Sequence, residues 1–561
     1  MAVDSKITAD IEKFALANAF QFRGMANANS VLGKLLAEHP ELKKNIKEMV
    51  PEISKAVSEA NKMPVKEQEE RLLKIFPEFF EKKAPKHEEK TLRELPDAKQ
   101  GKVVLRLAPF PSGPLHIGNA KTYVLNALYA EKYDGRLLLV IDDTIGSEEK
   151  QILPEAYDLI PEGFRWLGIK WENHIIYKSD RLDIYYKYAE ELIKKGSVYV
   201  CECSSETLRE NRAAGRDCIH RKQSVKETLQ KWNDMHKGAY KEGQVTLRLK
   251  TSMQHPNPAF RDRVLFKISD RSHPRVGKKY RVWPMLEFSW AVDDHLLNVT
   301  HVIRGKDLMM ETEMCKYIWD ILKWKYPVII HTGLVQLAGV KLSKSKAQKE
   351  VLSGRYAGWD DPRTWSLQSL RRRGILPHAI RHFISSIGLN ENDVTIPVEN
   401  LYAINRQMLD AATHRYSFVP EPVKIEVKNA PDIREISVKL HPEKEDELKK
   451  IKVGKEFYIQ KRDFGWKGKE IRLMHLYNIK LGEKSEFTSK ENKEIPRINW
   501  VPVNFAIKTE IIMPDGSIVS GFAEANVEKL KVDDIIQFER FGFCRLDKKE
   551  KDKITFCYAH N

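Results

Sequence analysis

Residues 103–119 constrain this chain more than any other stretch. Val103-Val104-Leu105 is a short apolar, β-branched run of the kind that forms a buried strand. Residues 119–133 place Tyr123, Leu125, Ala127, Leu128 and Ala130 at the spacing of a core-facing helix. Between them lies Arg106-Leu107-Ala108-Pro109-Phe110-Pro111-Ser112-Gly113-Pro114-Leu115-His116-Ile117-Gly118-Asn119, a loop punctuated by proline and glycine. A strand, a tight loop and a helix N-terminus make a natural phosphate site, because unpaired backbone N–H groups and the helix dipole both favour an anion. His116 and Asn119 stand at the helix start, and Gly113 and Gly118 leave room for a ligand at the backbone. Residues 102–200 therefore read as the first half of a parallel α/β nucleotide-binding domain.

The run Pro109-x-Pro111-Ser112-Gly113-x-Leu115-His116-Ile117-Gly118-Asn119 resembles the HIGH signature of class I aminoacyl-tRNA synthetases, in the variant of the glutamyl and glutaminyl enzymes. Far downstream, Lys341-Leu342-Ser343-Lys344-Ser345 resembles the same family's KMSKS loop. The resemblance implies a Rossmann-like catalytic domain that uses ATP with Mg2+. It assigns catalysis to His116, Asn119, Lys341 and Lys344, and ATP binding to these four together with Gly113 and Gly118. The implied step is in-line attack of a carboxylate on the α-phosphorus of ATP, which needs placed positive charge more than covalent catalysis. Two lysines on a mobile loop can supply that charge.

Composition agrees with such a reading. A chain of 561 residues holds several domains, and its net charge of +16 suits a polyanionic partner such as tRNA. The 42% hydrophobic content suits globular cores and is too dispersed for a membrane span. No basic, apolar leader pattern opens the chain, so a cytoplasmic location and no membrane partner are expected. Six cysteines in a chain of this length do not suggest a disulfide framework.

In chain order, residues 1–98 read as a helical extension, punctuated by Pro40, Pro51, Pro64 and Pro77, that ends in a charged linker. Docking of tRNA or a partner and plain packing are both open for it. Residues 99–200 continue with a second strand, Arg136-Leu137-Leu138-Leu139-Val140-Ile141, running into Asp142-Asp143-Thr144. Acidic residues at the C-terminal end of a buried strand face the ligand crevice of open α/β sheets. The resemblance gives Asp142 the substrate's α-amino group, and places Arg106 and Ala108 beside the amino acid. Asp143 and Thr144 suit a helix N-cap. Phe110 departs from the family, which usually has a small polar residue there.

Residues 201–282 interrupt the α/β pattern. Cys201-x-Cys203 and Cys218-x-His220 offer four ligands suited to tetrahedral Zn2+, pinning two chain segments together. They resemble the zinc site in the acceptor-binding insertion of some glutamyl enzymes. Trp232 and Tyr240 among lysines and arginines suit phosphate and base contacts. Cys315, Cys544 and Cys557 read as core or edge residues.

Residues 283–340 read as the second half of the catalytic domain. Val292-Asp293-Asp294-His295-Leu296 and Val299-Thr300-His301-Val302-Ile303-Arg304 resemble the glutamyl enzymes, where the residue matching Arg304 faces the substrate side chain. Arginine binds a carboxylate through paired, charge-assisted hydrogen bonds, whereas a glutamine amide would present donors to a donor-only guanidinium. Leu286 stands where the family commonly has tyrosine. Residues 341–404 hold the lysine loop and a helical connection. Residues 405–561 turn to short alternating runs and read as an all-β module resembling the family's β-barrel anticodon-binding region.

The resemblance, over residues 100–561, is to archaeal-type glutamyl-tRNA synthetases. It implies a monomer that activates L-glutamate with ATP and attaches it to the 3′ end of tRNA(Glu), with tRNA(Gln) open as a second acceptor. The alternatives are a glutaminyl-tRNA synthetase, a non-catalytic tRNA-binding paralogue and a nucleotidylyltransferase for a small substrate.

Overall fold

The computed structural model describes residues 5–21, 24–39, 42, 46–79, 92–145, 151–172, 174–340 and 344–561. It divides into two units, Met1–Lys90 and Thr91–Asn561.

The first unit is helical: Ser5–Gln21, Ala28–Glu38, Ile46–Lys62 and Val65–Ile75. They close around Ile11, Phe14, Val31, Leu35, Ile53 and Leu72. Pro64 caps the last helix, but Pro51 lies inside the third and does not break it. One missing N–H is tolerated there because the helix is held by packing of its apolar face. Most of the expected linker, residues 80–91, lies outside the described residues.

The second unit opens with the expected parallel sheet. Val104–Leu107, Arg136–Ile141 and Ile175–Tyr177 pair in that order, with Val104 opposite Arg136 and Leu139 opposite Ile175. The helix Ile117–Lys132 makes the first crossover. Leu137, Leu139 and Ile141 enter one core while Leu138 and Val140 enter another. A strand buried on both faces must be apolar throughout, which is why this run does not alternate. His301–Gly305 pairs in parallel with Val328–Thr332, and Val335–Ala338 with Val394–Pro397. The backbone N–H of Val104 donates to Thr300 Oγ1 at 2.8 Å, bringing the strand that carries Arg304 beside the one that carries Arg106.

Between these halves, Val198–Cys201, Thr246–Leu249, Val264–Ile268 and Val282–Pro284 form a four-stranded antiparallel sheet. It takes in residues on both sides of the segment 201–282. Short apolar runs have the same periodicity in parallel and antiparallel sheets, so the sequence placed Trp283-Pro284 with the returning α/β domain.

Beyond residue 344 come the helices Lys344–Leu352, Leu367–Arg373, Pro377–Ile387 and Val398–Asp410. Two seven-stranded, mostly antiparallel sheets and the hairpin Glu435–His441/Lys444–Lys452 complete the chain. The hairpin joining Ile507–Ile512 to Ile518–Ala523 turns at Gly516, whose φ of 84° explains the glycine. Among the described residues, no helix is long and apolar enough to cross a membrane.

Candidate active site

The helix Ile117–Lys132 begins at His116, whose extended backbone and side chain form its cap. His116 Nδ1 accepts from the N–H groups of Gly118 (3.1 Å) and Asn119 (3.4 Å), and Asn119 Oδ1 accepts from the His116 N–H at 2.9 Å. This reciprocal arrangement satisfies otherwise orphaned donors and fixes the loop's exit angle. The helix start opens on a cleft of about 970 Å³, lined among others by Arg106, Ala108, His116, Gly118, Asn119, Asp142 and Arg304. The structure thus brings these sequence-derived candidates together.

Gly113 lies differently. It does not line the cleft; its φ is +136°, and the ring of Trp359 occupies the space where a Cβ would point. The absence of a Cβ lets the Trp359 indole pack directly on this part of the loop. Lys341 lies outside the described residues. Lys344 begins the helix Lys344–Leu352, its side chain also outside the described ones, while Gln348 of that helix and Val340 line the cleft.

At one end of the cleft, buried charges close in pairs. The Arg106 Nε–H donates to Asp294, and its NH2 group donates to Asp294 Oδ2 at 3.0 Å. Its guanidinium carbon lies 3.5 Å from the Trp290 ring centroid. Lys178 Nζ lies 3.2 Å from Asp142 Oδ2. Arg181 Nε donates to Asp293 Oδ1 at 2.8 Å, and the Tyr185 hydroxyl donates to Asp293 Oδ2 at 2.6 Å. Burial pushes Asp293 above the usual carboxylate range and Lys178 below the usual ammonium range, with Asp142 and Asp293 opposing the latter. Asp143 and Thr144 face partners among the described residues that the sequence did not suggest. Asp143 accepts from the Ser179 N–H (2.8 Å) and hydroxyl (2.7 Å), and the Thr144 hydroxyl donates to Asp142 Oδ1 at 3.1 Å. Ser179 lies where the strand Ile175–Tyr177 passes into the 3-10 turn Lys178–Asp180, so the Asp143 carboxylate ties the ends of two neighbouring strands together.

Arg304 is different. It projects from His301–Gly305 with 6% exposure, and its NH2 group donates to the Thr312 hydroxyl. Its Nε is buried without a hydrogen-bond partner, and no carboxylate among the described residues pairs with it. The Thr312 hydroxyl also lies 2.8 Å from His331 Nε2, and burial, followed by Arg304, pushes the His331 imidazole down toward its neutral form. A buried cation without its counter-ion is costly unless a ligand supplies one. Phe110 and Leu286, the two departures from the family pattern, both line the cleft as apolar wall.

Sequence reasoning missed several residues here. Tyr123 lines the cleft, with its hydroxyl pushed up by burial. Lys121 is buried, donates to the Gly333 carbonyl at 2.8 Å and is pushed down to about 8 by burial. The helical periodicity that marks Tyr123 as a core residue cannot distinguish a core wall from a cleft wall. Lys178 and Trp290 sit in runs with no motif of their own.

A second site lies in the inserted sheet. Cys201, Cys203, Cys218 and His220 bring their donor atoms within 4.8 Å of one another. Sγ of Cys218 is 3.5 Å from that of Cys201, 3.4 Å from that of Cys203 and 3.2 Å from His220 Nδ1. Tetrahedral ligands at zinc–sulfur distances of about 2.3 Å stand roughly 3.5–4 Å apart, so the donor set fits a metal ion of that size. The NH1 group of Arg248 donates to Cys201 Sγ at 3.6 Å, a contact that stabilises a thiolate. Asp10, Glu38 and His39 form the other described group of potential ligands, in the first unit.

Comparison with known proteins adds the following. The family model described as "tRNA synthetases class I (E and Q), catalytic domain" matches residues 102–411. Two anticodon-binding-domain models of the same family match residues 413–500 and 497–547. The chain is 44% identical to the glutamate–tRNA ligase of Pyrococcus furiosus, over 98% of this chain and 98% of that one. It is 41% identical to that of Methanocaldococcus jannaschii, over 97% and 98%, and 40% identical to that of Methanothermobacter marburgensis, over 98% and 99%.

Proposed function

The chain belongs to the class I aminoacyl-tRNA synthetases of the glutamate and glutamine branch, and from that membership we propose that it ligates L-glutamate to the 3′ end of tRNA through a glutamyl-adenylate. The α-carboxylate of glutamate attacks the α-phosphorus of ATP and expels pyrophosphate; a terminal ribose hydroxyl of tRNA then attacks the acyl carbon and expels AMP. The observation that carries the choice of glutamate is Arg304, a buried guanidinium on the cleft with an unpartnered Nε. A substrate carboxylate supplies the missing acceptor and the missing charge; a glutamine amide supplies neither charge nor a pair of acceptors.

In this reading Asp142 takes the α-ammonium group, with Arg106 and Ala108 beside it. His116, Gly118 and Asn119, with Lys341 and Lys344 from the opposite loop, serve ATP, and Gly113 serves it indirectly by shaping the loop. Mg2+ accompanies the triphosphate. The Cys201, Cys203, Cys218 and His220 set holds a structural Zn2+, which cross-links two chain segments and takes no part in the chemistry. The α/β halves form a Rossmann-like domain, the inserted sheet serves the tRNA acceptor end, and the two C-terminal sheets serve the anticodon as barrels. The partner is tRNA(Glu), with tRNA(Gln) as a second acceptor to be tested. A monomer in the cytoplasm fits this work.

Charging of unfractionated tRNA with labelled glutamate, ATP and Mg2+ tests the proposal. Acid-precipitable glutamate that is released by mild base supports an ester on tRNA. Binding of tRNA without charging would instead make the chain a non-catalytic paralogue.

A further inference from the structure

Lys178 is among the largest fully buried side chains of the described residues, yet its ammonium group is not spent on a surface ion pair. It stands at the start of the 3-10 turn Lys178–Asp180, just after the strand Ile175–Tyr177. Three contacts hold it: Asp142 Oδ2 at 3.2 Å, the Ser289 hydroxyl, to which it donates at 2.7 Å, and the Trp290 ring, whose centroid lies 3.5 Å away. Ser289 and Trp290 belong to the helix Leu286–Leu296, and the same Trp290 ring supports Arg106. Lys178 does not line the cleft, but Asp142, Trp290 and Arg106 do.

We propose that Lys178 is a positioning residue of the amino-acid subsite, holding the Asp142 carboxylate so that it presents its free lone pairs to the substrate's α-ammonium group. The inference rests on the glutamate-ligase reading given above. An aspartate at a strand end can rotate about its side-chain bonds, and rotation would carry the carboxylate away from the cleft. Lys178 takes one oxygen and the Thr144 hydroxyl donates to the other at 3.1 Å, so both oxygens are pinned and the carboxylate plane is set. The lysine is in turn fixed by the helix that carries Asp294, the partner of Arg106. One buried ammonium thus couples the α-amino end of the subsite to the arginine beside it. Lysine suits this place because a compact ammonium on an apolar stem can lie against an indole while donating to two oxygens.

The test is a comparison of the full-length wild type with Lys178→Met, which keeps the stem and removes the charge. Steady-state charging gives KM for glutamate, KM for ATP and kcat. Inhibition by glutarate, which has the side-chain carboxylate but no amino group, gives a second reading. Loss of one charge-assisted hydrogen bond predicts a rise in KM for glutamate of about 10- to 100-fold, while KM for ATP moves by less than about 3-fold. The inhibition constant of glutarate stays within about 3-fold, so discrimination between glutamate and glutarate narrows. A merely structural role would move both compounds and ATP together. Unchanged discrimination in a folded variant overturns the inference. If Lys178→Met does not fold, Ser289→Ala, which removes only the lysine's second anchor, must show the same selective rise, smaller in size; equal effects on glutamate and glutarate overturn the inference. A wild type that charges no glutamate overturns the functional reading itself, which separates the two failures.

Discussion

The indole ring of Trp359 lies over Gly113 so closely that a Cβ on the glycine would stand 3.1 Å from its nearest ring atom. The same Trp359 donates from Nε1 to Glu155 Oε1 at 2.6 Å, so the ring is not free to swing aside. The signature loop is thus held from outside by a residue more than two hundred positions away in sequence.

Gly113→Ala should therefore cost stability twice, through a φ of +136° that an L-residue avoids and through the contact with Trp359. The expected loss is about 1–3 kcal/mol. It is read as a lower thermal midpoint, together with a raised KM for ATP as the loop shifts. Trp359→Ala in the same background should recover part of the thermal loss if the ring is the obstacle.

The metal prediction is stoichiometric. Purified protein should carry about one zinc per chain, and Cys203→Ser should lose it. Without metal, burial followed by the Cys218 thiol pushes Cys203 up to about 12, so metal binding must displace protons. Chelator should accordingly strip the metal faster at pH 6 than at pH 8, as measured by a chromogenic zinc indicator. Equal rates at both pH values would count against thiolate ligation.

His560 predicts a pH dependence with a definite sign. Asn405 Oδ1 accepts from the Leu376 N–H at 2.8 Å, which orients the amide so that its Nδ2 donates to His560 Nε2 at 2.8 Å. The other ring nitrogen lies 2.8 Å from the Asn561 carbonyl oxygen. A proton on Nε2 would meet a donor, and burial pushes the imidazole from 6.5 down to about 4. The unfolded chain therefore binds this proton first, and the stability that the neutral ring contributes is present above pH 6.5 and lost as pH falls through 4. His560→Gln should flatten the fall in unfolding free energy over that interval by about 1–3 kcal/mol, as measured by denaturant titration at each pH. An unchanged acid limb would refute this assignment.

What was legible in the sequence follows from which physical signals are local. The strand Arg136–Ile141, the capped helix behind His116 and the Cys201/Cys203/Cys218/His220 set depend on neighbours in sequence, and periodicity and spacing expose them. The place of Arg304 on the cleft was legible because the residue stands within a recognisable motif on a strand. The pairing of Lys178 with Asp142, of Arg106 with Asp294 and of Gly113 with Trp359 joins residues far apart in the chain. No local pattern reports such meetings. Asp143 shows the same limit: as a short acidic residue after a strand it suits a helix cap, and only the return of Ser179 beside it reveals a tie between strand ends.

The central claim is that Arg304 selects a carboxylate. Its most direct measurement is kcat/KM for charging tRNA with glutamate and with glutamine, in the wild type and in Arg304→Ala. The account predicts a wild-type preference for glutamate of at least about 10³-fold, and a loss of glutamate charging of at least about 10²-fold in the variant, since an interaction made by paired charged hydrogen bonds is removed. Efficient charging with glutamine by the wild type, or glutamate charging retained within about 3-fold by the variant, would contradict it.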